Sequence, residues 1–372
     1  MSGDKAELVC TLKAMRMARG ISQKDLARRV GVGRQAIYDM ESGRYVPNTA
    51  LALRLARELG CKVEELFHME GQQEKESIIL PEQVDQPGTR LSVVRVNERL
   101  IAYPQDGKWL LNEGFHAADG LLDKTGRDIQ LLQDAQRLEN TILLLGCDPA
   151  FSILNAHVIR SGHGADLLCR FASSMRAMDG LEAGHAHLAA AHLHNIGTEE
   201  ANVELARTAL KKTPTLVIGF SLFEEGLMLQ PGNPLGITTL ADLTNKGVRF
   251  INRDRGAAIR LLFDDLLQRS GIQATSILGY NEMASGHIEG AQMVSFGLAD
   301  AALGLRAVAA TYDLDFMPLQ FVRCDLIIPR DFLALKAVRI LLDVLQSKAL
   351  RRDLDSLPGY EAGMTGTVIA EL

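Results

Sequence analysis

Cysteine is scarce and scattered. Only Cys10, Cys61, Cys147, Cys169 and Cys324 occur in 372 residues. No two form a Cys-x-x-Cys pair and the number is odd, which argues against a structural zinc site and for a reducing, cytoplasmic setting. No run approaches the roughly 18 apolar residues that a membrane span needs. Residues 1–20 are basic and helical in pattern but lack the continuous apolar centre of a signal peptide. No Gly-x-Gly-x-x-Gly follows a strand-like run, and no P-loop lysine motif occurs. Asp148 and His192 would suit an acid–base pair, but nothing supplies the remaining machinery, so catalysis is not expected. The chain shows no internal repeat.

What is present is ordinary globular composition, with 47% apolar and 23% charged residues and a net charge of -6. The charge is unevenly spread. Residues 1–70 hold twelve Lys/Arg against nine Asp/Glu, a net of +3, while the remainder carries -9. A mildly basic head on an acidic body suits a nucleic-acid contact at the head and little elsewhere.

The head reads as short helices. Leu8, Leu12 and Met15 recur at helical spacing, and Gly20 stops the segment. Ser22 is an N-cap with Asp25 three residues on, a variant capping box. Gln23–Val30 then turns Leu26, Ala27 and Val30 inward. Gly31-Val32-Gly33 makes a tight turn into a helix over Arg34–Glu41. Pro47 blocks its continuation. A fourth helix spans about Asn48–Leu59, capped by Gly60, and a short last one includes Val63, Leu66 and Phe67. Two short helices joined by a three- or four-residue turn leave the second free to enter a major groove. Its exposed face offers Arg34, Gln35, Tyr38 and Asp39 to base edges, while Gln23 and Arg44 are placed to meet phosphates. Residues 8–67, through S-Q-K-D-L-A-R-R-V-G-V-G-R-Q-A-I-Y-D-M-E-S-G-R-Y-V-P, resemble the Cro/cI-like, Xre-type helix-turn-helix regulators. Gly33 stands where that family usually has Ser or Thr, so the recognition helix loses a side-chain cap. The resemblance implies palindromic double-stranded operator DNA and a homodimer, with dimer contacts largely from the body.

Residues 71–90, with Gly71, Gln72, Gln73, Glu74, Pro81 and Pro87, read as a linker. Residues 91–140 read as a small β-containing connecting region. Leu91–Val96 and Arg99–Tyr103 form a hairpin around Asn97-Glu98, and Trp109, Leu110 and Leu111 suggest a further strand. Gly114–Gln130 is a shim or a dimerisation element; the sequence favours neither.

From Thr141 the pattern alternates between strands and helices, predicting a parallel α/β architecture over 141–372. Strands are expected at Thr141–Leu145, Asp166–Arg170, Leu188–Ala191, Thr215–Ile218, Val248–Ile251, Met293–Phe296, Phe316–Leu319 and Leu326–Ile328. Helices are expected at about 150–160, from Ser174 towards Gly184, and at Glu199–Lys211, Ala257–Arg269, Leu298–Ala309 and Phe332–Leu345. Ligands in such folds sit beyond strand carboxyl ends, near helix N-termini. Three such ends stand out: Cys147-Asp148, Ser173-Ser174, and Asn252-Arg253 with Arg255 and Gly256. Hydroxyls and free N–H groups there suit an anion or a carboxylated ligand, with Arg253 supplying charge.

Residues of about 141–350 resemble the periplasmic-binding-protein-like sensor domain attached to some helix-turn-helix regulators. The stretches are G-C-D-P-A, A-S-S-M-R-A-M-D-G-L-E-A-G-H-A-H-L-A-A-A-H-L, E-E-G-L-M-L-Q-P-G-N-P, F-I-N-R-D-R-G-A-A-I-R-L-L and L-D-F-M-P-L-Q-F-V-R-C-D-L-I-I-P. The resemblance implies two α/β lobes closing on a small ligand, an oxyanion such as molybdate or tungstate in relatives. Where the family tends to Gly-Ser-Gly-Thr-Arg, this chain has Gly256-Ala257-Ala258-Ile259-Arg260. Both hydroxyls are gone, and a desolvated anion needs donors; an organic ligand with an apolar part fits as well as an oxyanion. His185, His187, His192 and His194 fall within ten residues, yet one strand does not bring all four together, so no metal and no cofactor are expected. His192 at the strand end and His287 from the second lobe are expected ligand contacts. The whole reads as a ligand-responsive one-component transcriptional regulator. The alternative is a DNA-binding protein whose body only oligomerises or binds a protein partner.

Overall fold

The computed structural model describes residues 8–69, 76–84, 86–105, 115–124, 126, 128–133, 135–195 and 200–372. These form two compact units, Met1–Glu76 and Ser77–Leu372. The expected strand at Trp109–Leu111, the linker residues Gly71–Glu74, and the positions Gly114 and Glu199 lie outside the described residues.

In the first unit, β1 (Leu8–Cys10) pairs antiparallel with β2 (Phe67–Met69) and ties the two ends of the domain together. Between them run α1 (Leu12–Ala18), α2 (Gln23–Val30), α3 (Arg34–Glu41), α4 (Thr49–Leu59) and α5 (Val63–Leu66). Leu8 and Phe67 are therefore strand residues, where helical spacing had suggested helix. Ser22 caps α2: its Oγ accepts the Asp25 N–H at 3.1 Å, and its hydroxyl donates to Asp25 Oδ2 at 2.7 Å. Gly31 ends α2 in the left-handed region, φ 72°, where a side chain would be strained. Leu12, Leu26, Ile37, Met40, Leu55, Leu59 and Leu66 build one small core. Under it, Arg16 reaches Glu41 through Nε (2.6 Å) and a terminal nitrogen (3.1 Å) and also donates to the Ile21 carbonyl.

The second unit opens with a closed five-strand barrel of β3 (Glu76–Ile79), β4 (Arg90–Val96), β5 (Arg99–Pro104), β6 (Gly120–Leu122) and β7 (Asp128–Leu131), in the order β3-β5-β4-β6-β7. Thus residues 76–79, inside the stretch read as a linker, form a strand parallel to β5. The β4–β5 hairpin forms as expected, with Asn97 supplying the positive φ of 54° that its two-residue turn requires. Val94, Val96, Ile101 and Tyr103 enter the main core of the larger unit, so the barrel shares its hydrophobic interior.

After α6 (Ala135–Asn140) come β8 (Thr141–Gly146), α7 (Phe151–Arg160), β9 (Asp166–Phe171), α8 (Ser174–Glu182), β10 (Leu188–Ala191) and α9 (Ala201–Ala209). Then follow β11 (Thr215–Leu229), β12 (Phe250–Arg253), α10 (Ala258–Arg269), β13 (Met283–Ala284), α11 (His287–Ser295), β14 (Ala301–Leu305), α12 (Arg306–Thr311), β15 (Asp315–Pro329), α13 (Lys336–Leu345), α14 (Lys348–Asp355), β16 (Tyr360–Glu361) and β17 (Val368–Glu371). The main sheet path runs β13-β12-β14-β11-β15-β10-β8-β9. It curls into two lobes, one on the parallel set β8, β9, β10 and one on the parallel set β12, β13, β14.

The wholly parallel expectation is corrected at the centre. The 15-residue strands β11 and β15 pair antiparallel along their length, from Thr215 opposite Pro329 to Leu229 opposite Asp315, and run from one lobe into the other. Phe316–Leu319 and Leu326–Ile328 are two ends of β15, hidden as one strand because Gln320, Arg323 and Asp325 interrupt the apolar pattern. Two more segments differ. Met293–Ser295 closes α11, and 298–309 contains buried β14 followed by α12, because a short run buried on both faces has no periodicity to distinguish strand from helix. Register shifts fall at Gly219/Ser221 and Glu225/Gly226, near the crossing. A Cβ on Gly226 would lie 2.2 Å from the Met317 carbonyl oxygen, so only glycine lets the strands approach there. The second lobe has its own core of Leu227, Phe250, Ile259, Phe263, Leu303 and neighbours.

Candidate functional site

In the first unit, α3 presents Arg34, Gln35 and Tyr38 as exposed side chains, with Asp39 half-buried. Gln35 Nε2 donates to Asp39 Oδ1 at 2.9 Å, and the Arg44 guanidinium stands over the Tyr38 ring at 5.9 Å. These five therefore share one surface. Gln23 is more committed: its amide donates to Glu41 Oε2 at 2.8 Å and joins the Arg16–Glu41 pair. Gly33 begins α3 with no side-chain cap, and its own carbonyl accepts the Ala36 N–H at 3.0 Å.

In the second unit, strand ends from both lobes converge. β8 ends into Cys147 and Asp148, β9 into Ser173 and Ser174 at the start of α8, and β10 into His192. From the opposite lobe come Asn252 and Arg253 at the end of β12, and His287 at the start of α11. All these residues are buried. Arg255, expected among them, is exposed. Contact across the lobes is direct: the Arg253 guanidinium lies 5.9 Å from the Phe171 ring centre. A Cβ on Gly256 would lie 3.0 Å from Ser173 Oγ, so the absence of a side chain at 256 allows that approach.

The bonds divide these residues into two kinds. Asp148 is fully engaged: Oδ1 accepts from Ala150 N–H (2.9 Å) and the Tyr360 hydroxyl (2.6 Å), and Oδ2 from Ser221 (3.1 Å). Burial pushes its carboxyl up, against those three donors. Asn252 is also engaged, donating to the Tyr280 carbonyl and accepting the Arg253 N–H. Ser174 Oγ accepts the His192 N–H at 3.3 Å. These groups hold the walls.

The other kind is incomplete. His192 Nε2 is 2.9 Å from Cys147 Sγ. Its Nδ1 is 3.1 Å from Glu225 Oε1 but out of hydrogen-bonding alignment. Burial works to lower His192, yet Cys147 and Glu225 overcome it and hold the imidazole well above its usual value. Arg253 contacts His287 Nδ1 at 3.0 Å and the Ser285 carbonyl at 3.4 Å. Burial, then the charge of Arg253, push His287 well below its usual value. Among the described residues, ten buried side-chain polar atoms have no hydrogen-bond partner. Five belong to this cluster: Ser173 Oγ, His192 Nδ1, Arg253 Nε and both carboxylate oxygens of Glu225. Such atoms are expensive to bury unpaired, so their concentration at one place marks it. A cavity of about 120 Å³ opens alongside, lined by Cys147, Asp148, Arg170, Phe171 and His287 among others.

Glu225 escaped sequence reasoning. It lies mid-strand on β11, away from any strand end, although an acidic pair at Glu224-Glu225 inside an apolar run was a signal. The clustered histidines separate as expected: His187 is buried, accepts the Leu143 N–H through Nδ1 at 3.0 Å and is pushed down to about 4 by burial. No group of three or more His, Cys, Asp or Glu suited to a metal occurs among the described residues. No helix there is long and apolar enough to cross a membrane.

Residues 156–346 match the family described as PBP superfamily domain, and residues 12–66 match the family described as Helix-turn-helix. The chain is 29% identical over 231 residues to the uncharacterized protein YvgK of Bacillus subtilis (strain 168), covering 62% of this chain and 74% of that protein. It is 41% identical over 56 residues to the uncharacterized HTH-type transcriptional regulator MJ0272 of Methanocaldococcus jannaschii, covering 15% of this chain and 85% of that protein. Among solved structures it is similar to the sulfate-binding protein SubI of Mycobacterium tuberculosis H37Rv, with a TM-score of 0.45 and 13% identity over 57% of this chain and 84% of that one. The chain therefore belongs to the PBP superfamily through its larger unit and to the helix-turn-helix family through its first.

Proposed function

We propose that this chain is a one-component transcriptional regulator of the Xre, Cro/cI-like type. It binds palindromic operator DNA as a homodimer in the cytoplasm and takes a small anionic or organic effector between the lobes of its larger unit. The observation that carries the effector reading is the set of five buried polar atoms without a hydrogen bond, drawn from both lobes and the crossing strand. The DNA reading rests on the exposed side chains of α3, led by Arg34, Gln35 and Tyr38, after a tight turn. An effector that prefers closed lobes shifts the population toward them. Half-sites one helical turn apart make operator affinity sensitive to small changes in dimer geometry.

The test is thermal unfolding of the full chain against small anions and organic acids, molybdate and tungstate included. An effector raises the midpoint by mass action, and Ser173→Ala or Arg253→Ala abolishes the rise. DNA sequences selected from a random pool, titrated by fluorescence anisotropy with and without that compound, give the sign of regulation. Selected DNA with no responding compound would favour a body that only oligomerises or binds a protein partner.

A further inference from the structure

We propose that the cleft is built for a small anion that also carries its own hydrogen-bond donor, and that Glu225 is the residue that reads the donor. This rests on the effector reading above and narrows it. The unpartnered atoms are of two signs. Ser173 Oγ and Arg253 Nε are donors that an anionic group satisfies, and both stand at strand ends beside helix starts. The two oxygens of Glu225 are acceptors and fully buried: neither receives a hydrogen bond, and only Oε1 has a charged neighbour, His192 Nδ1 at 3.1 Å, which leaves Oε2 open. A carboxylate offers acceptors only, so an anion made solely of acceptors would meet it with repulsion and leave its lone pairs without a donor.

The neighbours of Glu225 do not resolve this. His192 on β10 is the nearest: its Nδ1 pairs in charge with Oε1 at 3.1 Å without hydrogen-bond alignment, and its other nitrogen faces Cys147, so Oε2 is left unmet. Arg253 senses the charge of Glu225 without a hydrogen bond to it, because its terminal nitrogens face His287 and the Ser285 carbonyl. Asp148, the other acid at the cleft, has both oxygens taken by Tyr360, Ala150 and Ser221. A ligand N–H or O–H is thus the group that Glu225 Oε2 lacks, opposite an acidic group received by Ser173 and Arg253. Hydroxy acids, amino acids and protonated oxyanions share this chemistry. At 257 and 259, Ala and Ile are buried side chains with no donor to add at the anionic end.

Matched pairs decide it. Isothermal titration calorimetry of the full chain at pH 7.5 compares glycolate with acetate, alanine with propionate, and hydrogen phosphate with sulfate. Each pair is close in size, and one member carries the donor. The expected result is that in at least one pair the donor-bearing member binds tenfold or more tightly than its partner, and that Glu225→Gln removes most of this preference. Which pair responds separates hydroxyl, ammonium and protonated-oxyanion sources. If binding is seen but in every pair that binds the member without the donor binds as tightly as its counterpart, the proposal is overturned while the effector reading stands. If a preference appears but survives Glu225→Gln, the role of Glu225 is overturned. No binding in any arm overturns both readings for small acids. The wild-type comparison needs no variant, so the ligand class is decided even where Glu225→Gln does not fold.

Discussion

In the first unit the buried charges are paired and the uncommitted polar groups face outward. In the cleft of the larger unit the arrangement is inverted. Arg16 and Glu41 close on each other beneath the helices, while Arg34, Gln35 and Tyr38 stand exposed. In the cleft, Arg253 and Glu225 are buried with atoms left open, and the surrounding walls are satisfied. The difference follows from how each partner is met. A DNA groove arrives from outside, so its readers must be exposed on a scaffold that is complete by itself. A small ligand is enclosed, so its readers must be buried and left incomplete.

This contrast is breakable. The largest effect is expected at Glu41. Glu41→Ala strands the Arg16 guanidinium and should destabilise the first unit by about 3–5 kcal/mol. Calorimetry should show its transition lowered with that of the larger unit in place; a joint shift would mean the two units do not fold separately. Next comes acid. His187 is held to about 4 in the fold and returns to about 6.5 when unfolded. The unfolded chain then binds more protons, so stability is full above pH 6.5 and is lost as pH falls towards 4, by about 3 kcal/mol in all. The urea midpoint of the larger unit should fall between pH 7 and pH 5, and His187→Asn, which keeps an acceptor for the Leu143 N–H, should flatten that fall.

The two units were unequally legible in the sequence, for the reasons that set them apart. The helices of the first unit carry their own punctuation: Ser22, Gly31, Asn48 and Gly60 mark starts and stops by local chemistry. The strand ends of the larger unit were equally readable, which is why Cys147, Ser173, His192 and Arg253 could be named. The crossing strands were not. Register and antiparallel pairing are long-range properties, and the polar residues that make the crossing useful are the ones that break its apolar pattern. Glu225 was lost with them. Asp148 illustrates the converse: it lies at the strand end where it was expected, but its partners Tyr360 and Ser221 come from distant segments and engage both of its oxygens.

Smaller effects sharpen the contrast on the DNA side. Arg34→Ala and Gln35→Ala should each weaken binding to a selected DNA site by about 1–3 kcal/mol, read by anisotropy, with an unchanged melting profile because both are exposed. The least change is expected at Gly33. A serine fits there, since nothing lies within 4 Å of an added Cβ, and as an N-cap it should stabilise the first unit by only a few tenths of a kcal/mol, measurable as a small rise in its midpoint.

Arg170 has a mechanical consequence. It lines the cleft-side cavity from β9. Its guanidinium donates to the Pro104 carbonyl and to Glu82 Oε2, both at 2.7 Å, and lies over the Tyr103 ring at 5.3 Å. Pro104 and Tyr103 belong to β5 of the barrel. One side chain is thus both wall and tie-rod. Through this one side chain the cavity wall at β9 is bonded to the edge of β5 in the barrel.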